Sequence, residues 1–145
     1  MEVAQAHKIS PKALFDVITS KKHKSGGEFT VRSLRTGKDF TYKINRSKWQ
    51  ERFFTHVKVE VGYLQWRYLG TYKAGKITRR GSLINSESAI AIAWILNRVE
   101  NQRFDLLDRK IDIFHLGRCL SCGRTLTDSN SIERGLGPVC ATFNF

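Results

Sequence analysis

The sequence predicts an α+β fold: an antiparallel sheet of about four or five strands packed by one main helix, followed by a small cysteine-bearing C-terminal module. Three observations predict it. Residues 28–80 contain runs in which apolar and polar side chains alternate, the period of a strand with one buried face. Residues 86–103 place Ile92, Ile95, Leu96 and Val99 at the spacing of a helix face. All three cysteines fall within 119–140, and the first two form a Cys-x2-Cys pair. The apolar share of 41% is enough for an ordinary core. The chain divides accordingly into an N-terminal basic appendage (1–27), an α+β domain (28–110) and a module around the cysteines (111–145).

In the appendage, Ser10-Pro11 can open a short helix, with Pro11 at its first position. Ala13, Leu14, Val17 and Ile18 recur at helical spacing, and Lys21-Lys22-His23-Lys24-Ser25-Gly26-Gly27 reads as a basic linker. In the first strand Phe29 and Val31 alternate with Thr30 and Arg32, and Arg35-Thr36-Gly37-Lys38 is a hairpin turn. Phe40, Tyr42 and Ile44 mark the second strand. A polar stretch, 45–52, separates it from the third, where Val57, Val59, Val61 and Tyr63 share a face and Gly62 suggests a bulge. Trp66, Tyr68 and Leu69 begin a fourth strand that runs to the turn at Ala74-Gly75, and 77–80 adds a short fifth. For the helix, Asn85 or Ser86 is the expected cap, and Glu87 suits the positive end of its dipole. Trp94 reads as a core residue. Asp105, Asp108 and Asp112 read as a polar loop after the helix, and Ile111 and Ile113 as a strand leading into the cysteines.

Cys119 and Cys122 have the spacing at which a tight turn lets two thiolates grip one tetrahedral ion, with Gly123 allowing the backbone to turn. Asp128 or Ser129 can cap a short helix to about Arg134, Gly135 can end it, and Gly137-Pro138 can turn Cys140 toward the pair. A structural zinc in a ribbon- or knuckle-like module is the expectation. His115 is the expected fourth ligand; water or Asp128 would also complete the shell, and His7, His23 and His56 are distant in sequence. Buried thiols and a redox disulfide are the competing readings. A catalytic zinc is disfavoured because the His-x-Glu and Pro-Cys-x-x-Cys pattern of the zinc deaminases is absent.

Twenty-five Lys and Arg against thirteen Asp and Glu leave a formal charge of +12, which attracts polyanions. Between 61 and 86 there is no acidic residue. That stretch interleaves Arg67, Lys73, Lys76, Arg79 and Arg80 with Trp66 and Tyr68. Basic groups can pair phosphates there while aromatic faces stack on bases. Arg118 and Arg124 flank the cysteines and can join such a surface. The competing reading is an ordinary sheet with a wet basic face and inward aromatics.

The C-terminal box resembles that of a group of short phage and prophage proteins of unassigned function. The matching positions are His115, Gly117, Cys119, Cys122, Gly123, Arg124, Leu126, Thr127, Ser131, Ile132, Gly135, Gly137, Pro138 and Cys140. Weaker similarity runs through Thr36-Gly37, Phe40-Thr41-Tyr42, Tyr68-Leu69-Gly70 and Ala93-Trp94, so it spans about 28–141. The resemblance implies a zinc site, favours His115 as its fourth ligand and suggests a viral or prophage origin. It implies no activity.

No Walker loop, nucleophile elbow or paired-carboxylate constellation is present, so no enzyme is expected. No apolar run reaches 18 residues and the N-terminus lacks a secretory pattern, so a cytoplasmic protein without a membrane span is expected. The expected function is non-enzymatic binding of DNA or RNA by a small basic protein with a structural zinc. The alternative is a phage-encoded inhibitor or adaptor bound to a host enzyme or defence complex.

Overall fold

The computed structural model describes residues 6–19 and 25–141. The basic linker expected from Lys21 falls outside them as far as Lys24, and the chain is already in a strand at Ser25. The strands are β1 (His7–Ile9), β2 (Ser25–Ser33), β3 (Asp39–Trp49), β4 (Arg52–Gly62), β5 (Gln65–Lys73), β6 (Lys76–Arg79), β7 (Ser82–Leu83) and β8 (Ile111–His115). The helices are α1 (Pro11–Thr19), α2 (Glu87–Glu100), α3 (Phe104–Lys110), α4 (Ser129–Arg134) and α5 (Pro138–Ala141).

Among the described residues all eight strands form one antiparallel sheet, ordered β1-β8-β2-β3-β4-β5-β6-β7. This is larger than the four or five strands expected. The additional ones are β1, β7 and β8, the last expected as a strand before the cysteines but not as a member of this sheet. The first two are too short to show a period, and β8 finds its partner β2 far away along the chain. Pairing of that kind leaves no local mark in a sequence. Residues expected to form an appendage and a separate module are therefore joined: His7 lies opposite His115, and His115 opposite Phe29.

Directly opposed residues of antiparallel strands share a face. One face carries Phe29, Val31, Tyr42, Ile44, Val57, Val59 and Ile113, all buried. α1, α2 and α3 pack together over it, contributing Leu14, Val17, Ile92, Leu96, Val99 and Leu107 to the same core. Burying each such aliphatic side chain stabilises the fold by about 1.5–3 kcal/mol. The Tyr42 hydroxyl satisfies itself by donating to the Ser88 carbonyl of α2 at 2.7 Å, and burial raises its pKa far above the phenol range. The opposite face carries Thr30 and Thr41, joined through their hydroxyls at 2.7 Å, and then Lys43, Lys58, Trp66 and Tyr68.

α2 is the expected main helix, but its cap differs: Ser86 has extended backbone and its side chain makes no capping hydrogen bond. The expected polar loop at 105–112 is instead α3 running into β8. Leu107 is fully buried, and Phe104 packs edge-on against Phe15 at 5.7 Å. Gly70 is required where β5 meets β6. Its φ is +147°, and a Cβ there would lie 2.4 Å from the Thr78 carbonyl oxygen. The register between β4 and β5 slips at this point, from Val57↔Gly70 to Lys58↔Tyr68.

Candidate metal centre and basic surface

β8 delivers the chain to Gly117, whose φ of +81° starts a reversal. An isolated bridge between Arg118 and Thr125 closes a small knuckle. Inside it Cys119 N–H donates to the Arg124 carbonyl at 2.8 Å, and Gly123 N–H to the Cys119 carbonyl at 2.9 Å. Gly123 has φ +78°, so the turn needs a residue without a Cβ penalty. α4 begins as expected, with the Asp128 carboxylate accepting from Ser131 N–H at 3.2 Å, and ends at left-handed Gly135. Gly137 and Pro138 then start α5, which carries Cys140. Leu120, Leu126 and Leu136 are buried and extend the core under the sheet into the module, and Leu120 N–H donates to the Gly135 carbonyl at 2.8 Å.

This path brings the sulfurs of Cys119, Cys122 and Cys140 within 4.8 Å of one another. Sulfurs sharing one tetrahedral ion at about 2.3 Å stand about 3.8 Å apart, so the cluster fits an ion with little movement. All three are free thiols, with Cys119 and Cys140 buried and Cys122 exposed. The amides of Ser121 and Gly137 point at the Cys119 sulfur, each at 3.4 Å. Burial works against the Cys119 thiolate, but the backbone amides of Cys122, Gly137 and Ser121 outweigh it and hold the thiol below its ordinary pKa. Burial, with the neighbouring Cys119 charge, pushes Cys140 up to about 12. A cation among the sulfurs reverses that second effect, since it stabilises every thiolate at once. The three cysteines can therefore hold a metal ion.

His115, the expected fourth ligand, lies outside this cluster, and its ring nitrogens have other partners. Its ring is fully buried; Nδ1 accepts from Gly117 N–H at 3.0 Å and Nε2 lies 2.5 Å from the Ile132 carbonyl. With Nδ1 accepting, Nε2 carries the proton and donates. The carbonyl it satisfies belongs to the last turn of α4, where helix carbonyls lack partners of their own. Burial lowers the His115 pKa, against a smaller opposing effect of the Ile132 contact. His115 thus fastens β8 to α4 as a neutral ring. A cavity of about 510 Å³ adjoins the three cysteines, and Arg124, Thr127 and Asp128 also line it.

The seven basic residues singled out by sequence, Arg67, Lys73, Lys76, Arg79, Arg80, Arg118 and Arg124, are all exposed. None of them enters an ion pair among the described residues. β5 to β7 collect the first five: Lys73 lies opposite Lys76, and Arg79 reaches back to the Tyr68 carbonyl at 3.3 Å. Trp66 and Tyr68 share the open face, but each is engaged. Lys43 Nζ stands 5.9 Å from the Trp66 ring centroid. Tyr68 OH bonds to His56 Nδ1 at 2.9 Å, and His56 Nε2 to Ser47 Oγ at 2.6 Å. The acidic trio is dispersed: Asp112 pairs with Lys8 at 3.1 Å, while Asp105 and Asp108 stand exposed on α3.

Sequence reasoning missed a feature between β3 and β4. The stretch read as polar and irregular is the end of a long hairpin, and Trp49 at its tip is 63% exposed. Neither Arg46-Ser47-Lys48-Trp49 nor Arg52-Phe53-Phe54-Thr55 alternates apolar with polar residues, so the hairpin's end left no periodic signal. Nor did the turn: its residues are Gln50 and Glu51, with φ of 49° and 64°, where Asn-Gly is the usual mark.

Residues 113–142 match a family described only as a family of unknown function (DUF6011). The match takes in His115 and all three cysteines. No curated protein matches the chain, and no solved structure matches it.

Proposed function

We propose that this is a small, non-enzymatic nucleic-acid-binding protein whose C-terminal module folds around a structural zinc ion. The observation that carries the reading is the set of seven exposed basic side chains without ion-pair partners. Charges left unpaired at a surface are available to phosphates, and each phosphate engaged releases condensed counterions. Zinc suits three sulfur donors in a closed knuckle, and holding the turns of a module with so small a core is the chemistry it would supply. Cys119, Cys122 and Cys140 would hold it. A phage or prophage origin belongs to this reading and rests on the resemblance of the cysteine box.

The test is an anisotropy titration of metal-verified protein against labelled DNA and RNA at several salt concentrations. Affinity should fall steeply with salt, the logarithmic slope growing by about 0.9 for each phosphate contacted on a duplex. Lys73→Glu with Lys76→Glu should weaken binding at least ~10-fold and flatten that slope by about 2, since each lysine neutralises one phosphate. Absence of binding at low salt would sink the reading, and magnesium-dependent cleavage would overturn its non-enzymatic part.

A second reading, an inhibitor or adaptor that binds a protein, draws on one observation. Leu83 and Ile90 are 60% and 57% exposed beside the half-buried Trp94. If protein contact is the function, Ile90→Asp should release a co-purifying partner, whereas the lysine reversals should leave it bound.

A further inference from the structure

β4 continues past β5, and β3 continues past the described part of β2. On β3 the register with β2 ends at Asn45, opposite Ser25. On β4 the register with β5 starts at Thr55, opposite Tyr72. Between those limits, among the described residues, the two strands pair only with each other, through Ser47↔Phe54, Lys48↔Phe53 and Trp49↔Arg52. Four residues of strand at about 3.3 Å each make a finger roughly 13 Å long.

A two-stranded ribbon standing alone is marginally stable in water, and a large apolar side chain at its tip adds no core. Yet Trp49 and Phe53 are 63% and 40% exposed. The finger is also basic. It carries Arg46, Lys48 and Arg52 against one acid, Glu51, which Lys48 meets at 3.3 Å. Lys48 Nζ also stands 5.8 Å from the Phe53 ring centroid, stiffening one face. On the other face Trp49 and Arg52 are directly opposed, and this face is continuous with the one bearing Lys43 and Lys58.

We propose that the finger enters the major groove of duplex DNA, with Trp49 and Arg52 toward the base edges and the basic residues of the sheet on the flanking phosphates. The charge of the finger and of the whole chain favours a polyanion over a protein surface. The B-form major groove, about 12 Å wide, admits a two-stranded ribbon. The A-form groove of duplex RNA is too narrow and deep for it, so the proposal discriminates between the two. It rests on the nucleic-acid reading above and adds to it the groove and the duplex.

The experiment compares the unaltered protein with Trp49→Ala, Arg52→Ala and the double variant, each checked for its melting midpoint and metal content. Affinities are measured for one sequence as duplex DNA, duplex RNA and single-stranded DNA at the same salt. The double variant should lose at least ~10-fold on duplex DNA, the order of one or two lost base contacts, and less than ~3-fold on the other two. Equal losses on all three, or none on duplex DNA, would overturn the finger while leaving the nucleic-acid reading intact. No binding of any of them by the unaltered protein would overturn both. A dimer that Trp49→Ala converts to monomer would make the tip a self-interface and also overturn the proposal.

Discussion

His115 shows at the scale of one residue how a ligand and a strut differ. Its two ring nitrogens are committed to Gly117 N–H and the Ile132 carbonyl. His115→Ala is expected to keep one equivalent of metal, because three thiolates remain. It should also cost about 2 kcal/mol, because a buried amide and a buried carbonyl lose their partner. Elemental analysis beside a denaturation curve checks both. Loss of the metal from a folded variant would restore His115 to the ligand set. Burial lowers the folded pKa of His115, so the unfolded chain takes up its proton first on acidification. The stability this ring contributes is therefore present above its ordinary titration range and lost as pH falls below about 6.5 toward the depressed value. An NMR titration should find the ring neutral, with the proton on Nε2, below the ordinary midpoint. Gly70 makes a second prediction. Gly70→Ala meets both the φ of +147° and the 2.4 Å approach to Thr78, and should destabilise by about 2 kcal/mol or more in urea.

Short elements in the module depend on their ends. α4 is the six-residue helix Ser129–Arg134, fixed by Asp128 at one end and by Gly135 and His115 at the other. Asp128→Ala should lower the melting midpoint as a lost cap and leave the metal stoichiometry unchanged. Its carboxylate is held below its usual pKa chiefly by the Ser131 hydrogen bonds, so this contribution is complete at neutral pH and fades as acid protonates the group. The helix was readable because Asp and Gly mark its ends. The β3–β4 finger was not, because Gln50 and Glu51 hold left-handed backbone without a turn signature. α3 was missed for a related reason. Its acidic residues face water, and the buried Leu107 and half-buried Phe104 that justify it look unremarkable between them.

For the molecule as a whole, the sheet and the cysteine module share β8 and one apolar cluster, but the module's share of that cluster is small. The sheet rests on the apolar layer under α1, α2 and α3, whereas the module has three leucines and three cysteines. Removing the metal with a chelator, or Cys140→Ser, should therefore expose amides in 117–137 to rapid hydrogen exchange. β3 and β4 should stay protected, and the melting midpoint should fall by more than about 10 °C. If exchange in 117–137 did not change, the ion would have no structural role. Charge acts at this scale too. The ion pairs among the described residues engage Lys8, Lys12, Arg32, Lys38 and Lys48, and none engages the basic residues at β5 to β7 or on the knuckle. No helix among the described residues is long and apolar enough to cross a membrane.

By itself the sequence determined the local periods and their punctuation. Alternation at 29–31, 40–44 and 57–59 dictated strands, the apolar repeat in 86–103 dictated α2, and Cys-x2-Cys with glycines dictated the knuckle. Each follows from backbone geometry over a few residues. The tertiary structure decided which distant segments meet. Only it could place β8 between β1 and β2 and show that His115 bonds to Ile132. It also showed which aromatics stand free, with Trp49 exposed while Trp66 lies against Lys43. A residue's type fixes what it can bind, but only the packed chain fixes whether its atoms are already bound.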